Sequence, residues 1–300
     1  MKFGKANNIR ELDGLDWTLP KTRFDFTPTQ SSNLKISTGG TMWTIRPWRG
    51  SVYPEKDPMR TWPKHYGEQF GTIEFNATHY KIYSPEKMAD WANSMPEGFE
   101  FCPKFPAIIS HYRRFNNCEG PTDDFIEGML AMGEKLGPAF LQLPPHYSPK
   151  HCERLIEYLK AWPNELKMSV EFRHPLWFKG GGDAERVWSL MSELGIGAVI
   201  SDTALRRDAL HMRLTSPFII VRFGGNDGHY SDKKRLENWC NWIDEKKDSI
   251  QSFHFLVHQT NSIHTPQTCI DFARKCMQNL KIKVKSPNLY QDEKSSIDQP

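Results

Sequence analysis

Residues 170–175 read Val-Glu-Phe-Arg-His-Pro, which sets a carboxylate, a guanidinium and an imidazole within four positions. Such a group does proton transfer or grips an anion. Arg173 can hold a phosphate or carboxylate through two parallel hydrogen bonds, and Glu171 can take up a proton or orient a neighbour, with His174 beside them. The competing role is an arginine–carboxylate clasp that ties strands together. A Glu171→Gln variant that stays folded but loses turnover marks catalysis, whereas one that unfolds marks the clasp.

The elements that must position these groups are short β-rich runs alternating with helical patterns. Strands are expected at 34–38, 72–78, 99–104, 139–143, 167–172, 197–202, 218–223 and 252–258. Helical stretches such as PEKMADWANSM and PTDDFIEGMLAMGEKLG lie between them. Eight such units predict parallel strands joined by crossovers: an α/β chain folded as a (β/α)8 barrel of the TIM type.

In TIEFNAT the apolar set is Ile73, Phe75 and Ala77, so Glu74, Asn76 and Thr78 are expected to point inward. The same alternation sends Lys104, Gln142, Glu171, Arg173, Asp202, Arg222 and His258 inward, near the C-terminal ends of their strands. Barrel enzymes assemble their sites there. Glu74, Glu171 and Asp202 then face Lys104, Arg173 and Arg222, a balanced ring that salt bridging would also require.

His111 with Arg113 and Arg114, followed later by Arg206, Arg207 and Arg213, makes the same face basic and suits an anionic ligand. For any single arginine, solvated loop charge is the plainer account. Glu74, Glu171, His174, Asp202 and His258 could be assembled around a divalent metal, but no H-x-H or H-E-x-x-H spacing occurs and three cations share the ring. A metal is therefore the less favoured option, no metal ligand is assigned and the cofactor is left unknown. Glycoside hydrolysis needs two carboxyls at a set separation, which Glu74 and Glu171, from strands two and five, do not promise. Gly180–Asp183 lacks the Lys-Ser/Thr of a phosphate loop. Trp43 and Trp177 lie close enough to the mouth to stack a ring.

The chain has 300 residues, 38% of them hydrophobic, and a formal charge of +3. That is enough for one large domain, and the charge is too mild for an obligate nucleic-acid binder. Neither a secretory signal nor a membrane span is expected, so the cytoplasm is the default. Six cysteines at 102, 118, 152, 240, 269 and 276 form no metal or disulfide pattern and are expected to be free. Residues 1–33 are expected as an N-terminal arm, 34–280 as the barrel and 281–300 as a flexible tail.

Several blocks carry a resemblance: WRGSVYP, TIEFNATHY, WANSMPEGFEFCPK, SHYRRF, LGPAFLQLPP, SVEFRHPLWF, ISDT and IIVRFGG, in that order. Over residues 35–260 the chain resembles the YecE-like proteins, a barrel family of unknown function. The resemblance implies a barrel and signature positions at Glu74, Asn76, Thr78, Lys104, His111, Gln142, Glu171, Arg173, His174, Asp202 and Arg222. It implies no reaction. The chain departs from the family in the opening block 37–43, at Gly224 in place of a histidine, and at 258–261, which read His-Gln-Thr-Asn.

These readings converge on a hydrolase-like or lyase-like barrel acting on an anionic small molecule or phosphodiester. Glu74, Glu171, His174 and Asp202 are the catalytic candidates. Asn76, Thr78, Lys104, His111, Gln142, Arg173 and Arg222 are expected to bind the substrate. The alternative is a non-catalytic binding or scaffold protein, one that recognises nucleic acid among its options, and a steep salt dependence of binding would favour it. The oligomeric state is not readable from the sequence.

Overall fold

The computed structural model describes residues 4–30 and 33–290. Eight strands carry the framework: β1 (Lys35–Gly39), β2 (Thr72–Phe75), β3 (Glu100–Pro103), β4 (Ala139–Gln142), β5 (Met168–Glu171), β6 (Gly197–Asp202), β7 (Phe218–Gly224) and β8 (Ser252–His258). Six form one parallel sheet in the order β1-β8-β7-β6-β5-β4, and β2 pairs in parallel with β3. Backbone bonds cross both gaps. The Gly71 and Glu74 N–H groups donate to the Thr38 and Gly40 carbonyls at 3.1 and 3.0 Å, and those of Gly137 and Phe105 donate to the Phe101 and Phe140 carbonyls at 2.8 and 3.0 Å.

The helices are α1 (Trp62–Gln69), α2 (Pro85–Asn93), α3 (Glu119–Leu130), α4 (Cys152–Ala161), α5 (Gly182–Glu193), α6 (Tyr230–Lys246) and α7 (Thr265–Leu280). They pack their apolar stripes on the outer faces of the strands, where Phe253, Phe255 and Phe272 stack among many other buried rings. A smaller cluster of Cys102, Phe140, Val199, Ile220 and Leu256 comes from the opposite strand faces. Each such side chain stabilises by roughly 1.5–3 kcal/mol when fully buried. Trp177 belongs to this packing and not to a ligand mouth: it is 1% exposed, lies against Phe172 and donates to the Tyr147 carbonyl. Trp43 likewise packs on Phe75, Trp91 and Phe101.

Two local features differ from the expected pattern. β2 stops at Phe75, because Asn76 takes helical angles and Ala77–Tyr80 form a helical turn, so alternation does not extend to Thr78. Between β6 and β7 there is no helix of any length comparable to the others, only a 3-10 turn at Arg207–Ala209 and a two-residue strand at Arg213–Leu214. The N-terminal segment fills this gap. Its Arg23–Phe24 strand pairs in parallel with Arg213–Leu214, the Asp25 carbonyl accepts from Ser192 on α5, and the Trp17 carbonyl accepts from Asn238 on α6. Trp17 is 2% exposed, with Arg207 and Arg235 guanidiniums each 5.5 Å from its ring centre.

Residues 281–290, expected within a flexible tail, make contacts as far as Tyr290, whose N–H donates to the Ser51 carbonyl at 2.7 Å; Lys285 Nζ donates to the Gly67 carbonyl. Residues 291–300 lie outside the described residues. No helix among the described residues is long and apolar enough to cross a membrane. All six cysteines are free and buried.

Candidate functional site

Parallel pairing in register puts paired side chains on the same face of a sheet. Gln142 at the end of β4 pairs with Glu171 at the end of β5, and Ser201 on β6 pairs with Arg222 on β7. These four side chains meet, joined by Glu74 from β2 and His258 from the end of β8. Arg222 is the hub. Its Nε and Nη2 donate to the two oxygens of Glu74 at 2.9 and 2.8 Å, and its Nη1 donates to both oxygens of Glu171 at 2.8 and 2.7 Å.

The remaining acceptor positions are also taken. Glu171 receives Gln142 Nε2 at 2.6 Å, Ser201 Oγ at 2.7 Å and Arg173 Nη2 at 3.2 Å, while Glu74 receives Asn76 Nδ2 at 2.9 Å and lies 2.6 Å from His258 Nε2. Lys104 Nζ donates to Gln142 Oε1 at 3.1 Å. Both carboxylates are 0% exposed, which makes this density of donors necessary, since an unpaired buried carboxylate costs several kcal/mol (roughly, by desolvation).

The electrostatics follow. Burial pushes a carboxyl group's pKa up, but Arg222 and His258 hold Glu74, and Arg173 and Arg222 hold Glu171, well below the ordinary carboxylate value. Both therefore stay ionised and locked, which is unlike a general acid or base poised near neutral pH. Burial and then the Arg222 charge lower Lys104 to about 8. Burial likewise lowers His258 to about 4 despite the Glu74 charge beside it.

Next to Lys104 stand two more imidazoles. His79 Nδ1 lies 2.7 Å from the Phe105 carbonyl, and the ring of His111, carried on a π-helical turn at Ile108–Tyr112, is 5.1 Å from that of His79. Burial lowers each to about 4, with further lowering from Lys104 on His79 and from His79 and Lys104 on His111. His79 was missed from the sequence because it follows the strand on a helical turn, where no alternation marks it.

Three expected members lie elsewhere. Asp202 was expected inward but pairs in register with Phe223 and faces α6: Trp239 Nε1 and Arg235 Nε donate to it at 2.8 and 3.2 Å, and Arg207 Nη1 completes its shell. Ser201 holds the inward position instead. His174 sits beyond the strand, where its Nδ1 accepts from the Leu176 N–H and caps a 3-10 turn. Thr78 bonds the Phe75 and Lys104 carbonyls, so it ties β2 to β3 and does not join the charged cluster. The carboxylates and imidazoles weighed as a metal set are thus divided. Among the described residues, no three His, Cys, Asp or Glu side chains form a metal-binding group.

A family model described as "Protein of unknown function DUF72" matches residues 37–291. The chain belongs to the DUF72 family. It is 28% identical over 221 residues to the UPF0759 protein YecE of Escherichia coli K12, covering 68% of this chain and 79% of that one, and matches the O157:H7 protein equally. A solved DUF72 family protein (EF0366) from Enterococcus faecalis V583 superposes with a TM-score of 0.65 at 16% identity, over 86% of this chain and 100% of that one. A second structure of it gives 0.61 at 15% identity. A Cβ at Gly224 would lie 2.9 Å from Thr203 Cγ2.

Proposed function

We propose that the eight strands close as a (β/α)8 barrel and that the chain is an enzyme taking an anionic small molecule or phosphodiester at the C-terminal strand ends. The backbone bonds across both sheet gaps support closure. One observation carries the anion: with Asp202 turned towards α6, three cations (Lys104, Arg173, Arg222) stand against two carboxylates (Glu74, Glu171), leaving one positive charge in excess. Arg222 is saturated by both carboxylates and forms the floor. Arg173, 12% exposed at its side chain, and Lys104 stand at the rim and meet the ligand.

In this reading Glu74 and Glu171 orient the cations, and proton transfer falls to Lys104, whose value of about 8 lies nearest the working range, with neutral His111 beside it. Hydrolase-like and lyase-like chemistry both use this set. Buried cysteines without a disulfide suit a reducing compartment such as the cytoplasm. The non-catalytic nucleic-acid reading loses support because Arg113, Arg206 and Arg207 bond internally, to the Asn117 carbonyl, to Asp208 and to Asp202.

The test is a thermal-shift screen of phosphates, nucleotides, sugar phosphates and carboxylates on wild type, Arg173→Ala and Arg173→Lys. A ligand at a hundredfold excess over its Kd adds about 2.7 kcal/mol of stability. The expected result is a shift for one anion class in wild type, reduced in Arg173→Lys and absent in a folded Arg173→Ala. An unchanged shift in folded Arg173→Ala removes the rim as the site.

A further inference from the structure

A cavity of about 360 Å³ opens beside the start of α4, lined in part by Arg114, His146, Lys150 and Arg154. Three fixed cations line it, and among the described residues none of their side chains makes a hydrogen bond or ion pair. Its one acidic lining residue, Glu153, is engaged outside it by Arg186, with Nη2 to Oε2 at 3.1 Å. Arg114 reaches the cavity on an unusual loop. Arg114, Phe115 and Asn117 have φ of 49°, 67° and 48°, a region that non-glycine residues rarely adopt. Phe115 anchors the loop edge-on against Tyr147, which also lines the cavity, with ring centres 5.6 Å apart.

The loop after β7, where barrels commonly hold phosphate, is already satisfied from within: Asp232 accepts from the Asn226 and Gly228 N–H groups at 2.9 and 3.2 Å.

We propose that this cavity binds the phosphoryl group of a small phosphomonoester. A phosphomonoester carries about −1.5 to −2 charges at neutral pH, which answers three unpartnered cations better than a single carboxylate does. The volume admits a small molecule and little more.

The experiment titrates inorganic phosphate and glycerol phosphate, at constant ionic strength, into wild type, an Arg114→Ala/Lys150→Ala/Arg154→Ala variant and Arg173→Ala, with circular dichroism as the folding check. Since the three cations lie on the surface and bond nothing, the triple variant is expected to fold. It should bind both ligands at least about tenfold more weakly, while Arg173→Ala keeps its affinity for both. Phosphate binding unchanged in the triple variant, or no binding by wild type at millimolar phosphate, overturns the proposal. If the triple variant is unchanged but Arg173→Ala loses both ligands, the rim reading stands and this cavity is excluded. A single-stranded oligonucleotide that binds more tightly with length and with a steep salt slope assigns the phosphate to a polymer and also overturns it.

Discussion

Arg222 is 2% exposed and shared between two carboxylates, whereas Arg154 lines an open cavity and has no side-chain partner among the described residues. The contrast follows from the solvent each faces. A guanidinium held away from water must be matched by nearby anions, and once matched it positions its neighbours and attracts little more. One bathed in water needs no match, and its pull on a ligand is weak unless several cations converge on the same enclosed volume. Arg173 and Lys104, at the boundary, belong to both regimes.

Removing the hub breaks this comparison at its strongest point. Arg222→Met leaves Glu74 and Glu171 buried without their shared cation and should cost about 3–5 kcal/mol in urea unfolding. A variant as stable as wild type would erase the distinction. Asp202→Asn should cost less, about 1–3 kcal/mol, because its acceptor oxygens are only partly lost, and it should leave anion-induced thermal shifts unchanged, since it lies on the α6 side.

Titration sharpens the boundary. Lys104 is lowered from 10.5 to about 8 in the folded chain, so the unfolded chain binds the extra proton between those values and stability should rise with pH across that window. Anion affinity should move the other way, falling by about tenfold as pH passes 8, and Lys104→Gln should flatten that profile in calorimetric titrations. For Glu74 and Glu171 the slope has the same sign in a lower window. Held below 4.5, they stabilise fully above that pH and progressively less as it falls. The smallest expected effect is that of Lys150→Ala, whose unfolding free energy should stay within about 0.5 kcal/mol of wild type.

Most of this framework is legible in the residues. All eight strands lie on the expected runs, and Glu74, Lys104, Gln142, Glu171, Arg173 and Arg222 gather as alternation predicts. Asp202 is misread because all six residues of β6 are buried, so burial marks no phase along the strand; its register with β7 decides the matter, and register is a tertiary property. Thr78 and His79 fall on a helical turn that starts one residue after β2. The basic cavity was obscure for a different reason. Arg114 stands out in the sequence with Arg113 as part of a basic face, but Lys150, from the 3-10 turn before α4, and Arg154, from the first turn of α4, look ordinary alone, and only the fold brings them to it. Conversely, the arginines that looked conspicuous, Arg206, Arg207 and Arg213, bond to Asp208, to Asp202, and to Asp25 and Glu185.

The pairing of Arg23 and Phe24 with Arg213 and Leu214 has a consequence in time. A ribosome adds about 5–20 residues per second, so roughly 10–40 seconds separate the synthesis of the two halves of that small sheet. Throughout that interval Trp17 has neither Arg207 nor Arg235 to cover it. The first part of the nascent chain thus waits for one of its later parts, and ribosome-bound chains arrested before residue 207 should present Trp17 to a fluorescence quencher that the finished protein excludes.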